Sequence, residues 1–204
     1  MDDIQQHREK LRDELLLVAL PHVVFDGWGL KALTAGAKSI GFQEGYPHAL
    51  FTDPGRELVA HFSDWADRKM LEQLSKTSLT KLKVRDRISL SVRYRFEVIS
   101  DYREAFRKSL IHSSPLLLYT TVDKIWRNTG DLSVDFNFYS KRVLLAAVIS
   151  SSSFFWLTDT SENYSETWKF IDRRIEDVML IPKLHTEMKK LLSPITKKLK
   201  PTAC

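Results

Sequence analysis

Apolar residues recur at every third or fourth position along most of this chain, and that period admits helices and little else. The stripes read Leu11, Leu15, Val18; then Leu33, Ala37, Ile40; then Leu58, Phe62, Trp65; then Ile88, Val92, Phe96, Ile99; and finally Trp168, Ile171, Ile175, Val178. No alternating β run interrupts them, and no internal repeat is visible. Seven glycines and seven prolines among 204 residues are few for a sheet protein, which needs a turn signal every few residues. The pattern predicts an all-α chain of about nine to ten helices. The first runs from Asp2 to Leu20 and stops at Pro21. Leu30–Ile40 follows, closed by Gly41 as a C′ glycine. A short helix passes through 45–50, and Asp53-Pro54 opens another with Asp as N-cap and Pro at N1. Further helices are expected at Lys81–Ser100, Tyr102–Ile111, Pro115–Arg127, Asp135–Leu157 and Asn163–Met179, with Pro182 before the tail.

Several classes of function find no support in the residues. Cys204 is the one cysteine, so neither an internal disulfide nor a thiolate metal cluster is available. The six histidines, at 7, 22, 48, 61, 112 and 185, form no H-E-x-x-H or E-x-x-H pair. Phosphate-binding glycine loops and a G-x-S-x-G elbow are missing too. The reading is a non-enzyme without cofactor or metal. The most apolar stretch, Val143–Leu157, falls short of the ~20 residues that cross a bilayer and is broken by Ser150–Ser153. Residues 1–14 carry five acids, unlike an Arg-rich transit peptide. The expected location is the cytoplasm, peripheral at the inner membrane of a bacterium, or the matrix side in a mitochondrion.

Charge is placed unevenly. Residues 183–204 hold six lysines against Glu187, which accounts for the whole net charge of +5. In the same segment Leu184, Met188, Leu191, Ile195 and Leu199 keep helical spacing. That is a basic amphipathic helix, suited to a membrane surface or to a partner. Lys183, Leu184, Met188, Lys189, Leu191, Ile195 and Leu199 are its candidate membrane contacts, and a lid docked on the body is the alternative. The expected organisation is one helical domain over 1–182, with a front at 1–51 and a body at 52–182, followed by the tail at 183–204.

Three short helices followed by a larger helical body is the layout of TetR-type regulators. The turn Gly41-Phe-Gln-Glu-Gly-Tyr-Pro-His48 stands where their helix-turn-helix turns. The helix after it, about Tyr46–Phe51, contains no Lys or Arg, although reading a major groove takes such donors. A TetR-type regulator that binds DNA and a hydrophobic ligand is therefore the alternative function, and no nucleic acid is expected as a partner.

The most specific segments are Asp123-Lys-Ile-Trp126-Arg-Asn-Thr-Gly130-Asp131, Asp135-Phe-Asn-Phe138-Tyr139-Ser-Lys-Arg142, Leu144-Leu-Ala-Ala147, and Asp159 and Ser161 followed by Thr167-Trp168-Lys-Phe170-Ile171. In this order they resemble the lipid-binding accessory family of coenzyme Q (ubiquinone) biosynthesis, the ninth Coq protein. That family carries D-x-x-W-x-x-x-G-D, D-F-N-W-Y-x-x-R, L-L-A-A and Q-D-x-S with T-W-x-F-L. Gly27-Trp28 and Gly36-Ala37-x-x-Ile40-Gly41 extend the likeness, which covers roughly 21–180. Two positions depart from it: Phe138 replaces the family tryptophan and loses its indole donor, and Thr158 replaces the glutamine before Asp159.

The resemblance implies a TetR-like homodimer with an apolar pocket for an isoprenoid quinone precursor or phospholipid. It implies that the protein presents the quinone intermediate to the di-iron demethoxyubiquinone hydroxylase at a membrane. The family's partner surface carries over to Asp135, Phe138, Tyr139 and Arg142, with Ile125 and Trp126 on the preceding helix. Beside this, Asp135 reads equally as an N-cap, Trp126 as core, and Arg142 as one half of an ion pair. Leu144, Val148, Phe154, Phe155 and Trp168 are candidate lipid contacts. The helix around them is apolar nearly all round, so core or dimer packing explains them as well.

Overall fold

A computed structural model describes residues 3–43, 45–130 and 136–180. Among these residues there are nine α-helices and no strand: α1 (Asp3–Asp26), α2 (Leu30–Ser39), α3 (Tyr46–Leu50), α4 (Pro54–Ser75), α5 (Val84–Val98), α6 (Arg103–Ser109), α7 (Pro115–Asn128), α8 (Phe136–Thr158) and α9 (165–180). Single 3-10 turns flank α6 and precede α9. Helix α1 lies along α2, α4 packs on α5 and α7, and α7 and α8 form an antiparallel hairpin.

Helix α1 runs through Pro21 to Asp26, six residues beyond the expected stop at Leu20. Proline removes one donor, but Pro21 sits on the exposed side. The buried face of Leu15, Leu16, Ala19, Leu20 and Val23 continues past it, and that burial holds the helix together. The helix ends at Gly27, whose φ of 77° is open to glycine at little cost. Trp28 then turns inward, donating its indole N–H to the Ala105 carbonyl at 3.0 Å and lying 5.2 Å from the Phe62 ring. The Gly27-Trp28 pair thus ties the front of the chain to its body.

Gly36 explains a second short motif. A Cβ there would lie 2.8 Å from the Ala19 nitrogen and the Val18 carbonyl carbon, so α1 and α2 meet backbone to backbone. At the start of α4, Asp53 does not cap with its side chain. Glu57 instead reaches back, its Oε1 accepting from the amides of Thr52 at 3.1 Å and Asp53 at 3.0 Å. Glu57 stands one residue past the N3 position of a capping box and does the same work on the helix-start amides.

Helix α9 is fixed at its start by Asp159, which is buried. Its carboxylate accepts from the Ser161 amide at 2.8 Å, the Thr167 amide at 2.9 Å and the Thr167 hydroxyl at 2.5 Å. Arg103 and Arg107 close the other side of the corner, donating to the carbonyls of Trp156, Asp159 and Leu157 that end α8. Farther along, Ile171 and Ile175 are buried and Arg93 of α5 lies over the Trp168 ring.

Candidate functional site

The α7–α8 hairpin carries the residues singled out from the sequence. Trp126 donates its indole N–H to the Lys141 carbonyl at 3.2 Å. Arg142 is almost wholly buried, and its Nε and Nη2 reach Asp123 Oδ1 at 2.9 and 2.7 Å. Its guanidinium also covers the Phe138 ring, 3.4 Å from the centroid. Arg142 therefore clamps the two helices and holds the half-buried Phe138 flat beneath it. Tyr139 is next along the chain and projects outward, 65% exposed.

On α8, Tyr139, Val143, Ala147, Ser150 and Phe154 follow one another at intervals of three and four, so they share a stripe about 22 Å long. Val143 and Phe154 are 68% and 64% exposed. From sequence, α8 reads as a helix to be buried on most faces; this stripe is instead open. Leu116 and Tyr119 on α7 are exposed as well. The pairing of Asp123 with Arg142 sets the register of α7 against α8.

A cavity of about 180 Å³ lies between α4, α5, α6, α7 and α8. Val59, Phe62, Phe106, Leu110, Leu117, Leu118 and Ile149 give it an apolar wall. Phe154 belongs both to the wall and to the exposed stripe, and so stands at the mouth. Ser150 and Ser153 also line it, where small side chains leave space between helices.

Charge enters this wall at one place among the described residues. Arg95 lines the cavity and donates to Asp67 Oδ1 through Nε at 2.8 Å and to the Ser63 hydroxyl through Nη2 at 3.1 Å. Asp67, buried on α4, also accepts from the Thr121 hydroxyl and from Lys124 at 3.2 Å. Lys124 extends the chain of charges to Asp64 at 2.7 Å, Asp64 accepts from Arg68 at 2.8 Å, and Arg68 forks onto Asp13. Burial pushes the Asp64 carboxyl up, but hydrogen bonds from Lys124 and Arg68 outweigh this and hold it below its ordinary range. Asp13 behaves alike: hydrogen bonds from Arg68 and His61 overcome its burial and bring it down to about 2.

The structure corrects one sequence-based assignment and locates the others. Ile125 is wholly buried, so it supports the hairpin from beneath and cannot form a contact surface. Arg142 serves as the clamp just described. Of the five candidate lipid contacts, Phe154 alone lines the cavity. Val148 is core, Leu144 is half-buried off the cavity, Phe155 stacks on Phe170 at 4.5 Å, and Trp168 donates to the Asn163 carbonyl at 2.7 Å. Helical spacing shows that residues face inward and not which of two inner surfaces they meet. Asp135 and the tail residues Lys183, Leu184, Met188, Lys189, Leu191, Ile195 and Leu199 lie outside the described residues. Sequence reasoning missed Arg95, Asp67 and Ser63. Their signal was a charge at an inward position: Arg95 follows Val92 by three residues on the stripe that ends at Ile99.

Among the described residues no group of histidine and acidic side chains is placed to hold a metal ion, and no helix is long and apolar enough to cross a membrane. Residues 111–182 match the COQ9 family. The mitochondrial ubiquinone biosynthesis protein COQ9 of Bos taurus is 30% identical over 190 residues, covering 85% of this chain and 59% of that protein. Its counterpart in Drosophila melanogaster is 31% identical over 194 residues, covering 87% and 58%. A probable COQ9 of Dictyostelium discoideum is 29% identical over 196 residues, covering 89% and 64%. The chain is similar to these COQ9 proteins along most of its length. It spans about three fifths of the length of these COQ9 proteins. Its fold is TetR-like: a TetR transcriptional regulator from Nitrosomonas europaea superposes with a TM-score of 0.66 at 18% identity, covering 83% of this chain and 98% of the regulator.

The COQ9 likeness and the geometry meet in two signature segments. Asp123 of D-x-x-W and Arg142 of D-F-N-W-Y-x-x-R pair with each other across the hairpin. Asp159 and Thr167 of the last segment pair at the start of α9. These signature residues build the scaffold, and Tyr139, between Asp123 and Arg142 in the chain, is an exposed aromatic.

Proposed function

We propose that the protein is a non-enzymatic lipid carrier of ubiquinone biosynthesis. In this reading it holds an isoprenoid quinone intermediate and presents it, as a homodimer at a membrane surface, to the di-iron demethoxyubiquinone hydroxylase. The observation that carries the proposal is the double role of Phe154. It lines the apolar cavity and also continues the exposed stripe that begins at Tyr139. In this reading a guest leaving the cavity emerges onto the face that carries Tyr139, the proposed partner surface. Exposed apolar side chains gathered on one face are the usual mark of an interaction surface. Helix α3 exposes His48 and Ala49 and contains no Lys or Arg, which gives a DNA duplex little to bind.

Two measurements test this. Lipid extracted from purified protein by organic solvent should prove by mass spectrometry to be isoprenoid quinone or precursor at near-stoichiometric amount. Tyr139→Lys should retain the wild-type melting temperature while losing retention of the hydroxylase on an affinity column. Lipid-free protein together with undiminished retention by the variant would refute the reading.

A further inference from the structure

Resting on the lipid-carrier reading, we propose that the cavity takes the ring of its guest and leaves the chain outside. The bound group would be a neutral ring with an oxygen acceptor, such as a quinone carbonyl or a phenol oxygen, directed at Arg95. Three observations lead there.

Size comes first. An apolar cavity of ~150 Å³ holds a benzene ring, while sites that enclose a drug-sized ligand run to ~300–1,000 Å³. At about 180 Å³ this cavity matches the size that encloses one ring and is well below that of sites enclosing a drug-sized ligand, so ring substituents and a polyprenyl chain would extend through its open side. The chain has a path outward past Phe154, along exposed apolar side chains of α7 and α8.

Donors come second. The wall contains hydroxyls, but most spend their protons on protein acceptors. Ser109 donates to the Phe106 carbonyl at 2.7 Å, Ser113 to the Ser109 carbonyl at 3.1 Å, Ser153 to the Ile149 carbonyl at 2.8 Å, and Thr121 to Asp67. A guanidinium has five N–H donors. Asp67 and Ser63 engage two of those on Arg95; among the described residues no protein acceptor takes the others, and Arg95 lines the cavity. A pure hydrocarbon guest would leave them unmet in an apolar space, which is unfavourable.

Charge comes third. Arg95 is already neutralised by Asp67, and Lys124 beside it is matched by Asp67 and Asp64. An anionic guest would add an unbalanced negative charge near the buried Asp67. A carbonyl or phenol oxygen accepts a hydrogen bond from Arg95 without that cost. Ser63 fixes Nη2 and so sets the direction of the fork.

Thermal shift and calorimetry on the full chain, stripped of lipid, test the proposal with three probes. These are the tail-less 2,3-dimethoxy-5-methyl-1,4-benzoquinone, the isoprenoid hydrocarbon farnesene, and dihexanoyl phosphatidylcholine. The expected result is saturable binding of the quinone ring, weakened about ten- to a hundredfold in Arg95→Lys, as loss of a hydrogen bond to a charged donor implies. The double variant Asp67→Asn/Arg95→Met, which removes both charges together, should lose the same factor. Should both fail to fold, Ser63→Ala decides: at least threefold weaker ring binding supports the proposal and unchanged binding overturns it. Binding of farnesene but not the ring overturns the ring-first pose and leaves the lipid-carrier reading standing. Arg95-dependent binding of the phospholipid in place of the ring assigns the acceptor to a lipid ester and also overturns it. No binding of any probe defeats both readings.

Discussion

At the scale of single residues, side chains that look functional in the sequence divide into those that make the surface and those that hold it up. Arg142 belongs to the second group: it is 3% exposed, paired to Asp123 and spread over Phe138. A lysine at 138 would bring a second cation against that guanidinium, so Tyr139 is the position that separates binding from folding. Arg142→Met leaves Asp123 without its buried partner, and removing one member of a buried pair costs about 3–5 kcal/mol. Asp123 retains Arg127 at 2.6 Å and some contact with water, so the expected loss is about 2–3 kcal/mol in urea unfolding. Tyr139→Lys should change stability by less than about 0.5 kcal/mol, as exposed substitutions do. Equal losses in the two variants would contradict this division. The motif that contains both residues was legible from sequence. Their different roles were not, because the pairing of residues 123 and 142 joins side chains on separate helices.

At the scale of elements, hydrophobic period placed the helices and local chemistry set their ends. The expected Pro115–Arg127 and Asp135–Leu157 lie within a residue of the observed α7 and α8. Where the ends differ, a tertiary contact decides, as the buried face of α1 does at Pro21. Helix α9 owes its start to Asp159, whose carboxyl is raised by burial but lowered further by the Ser161 and Thr167 hydrogen bonds, to about 2. A carboxyl with a depressed folded-state pKa contributes stability that is complete above its unfolded value of ~3.9 and is lost as pH falls through about 2. Wild type should therefore lose stability between pH 4 and pH 2. Asp159→Ala should be less stable at pH 7 by about 1–2 kcal/mol, the cost of a deleted cap. It should also lose less on acidification, since the remaining fall rests on groups such as Asp13, likewise held near 2. Urea midpoints at pH 7, 4 and 2.5 would check both statements. A variant whose acid limb matches wild type would remove Asp159 from the account.

At the scale of the whole molecule, the fold class was legible because one period runs through the chain. The cavity was not, because it arises where five helices fail to close and depends on Ser150, Ser153 and the buried Arg95 together. The charge distribution, by contrast, is a sequence property throughout. Residues 183–204 carry all of the net +5, so the remainder is electrically balanced. For the proposed membrane function a balanced body needs a separate means of reaching an anionic surface, and the composition of the tail offers two. Each lysine near such a surface contributes ~1 kcal/mol, and each fully buried leucine or isoleucine ~1.5–3 kcal/mol. Salt screens the first contribution and leaves the second. The 204-residue chain should thus float with anionic liposomes, less so as salt rises, but still measurably at 1 M, where charges are screened within about 3 Å. Deleting 183–204 should give a folded, near-neutral protein that stays at the bottom of the gradient at every salt concentration. A truncated protein that still floats would put the membrane contact on the body, with the exposed Val143 and Phe154 as the first residues to test. A truncated protein that aggregates would show that the tail covers that stripe as a lid. Wild-type binding abolished by salt would show that the apolar side of the tail stays out of the bilayer.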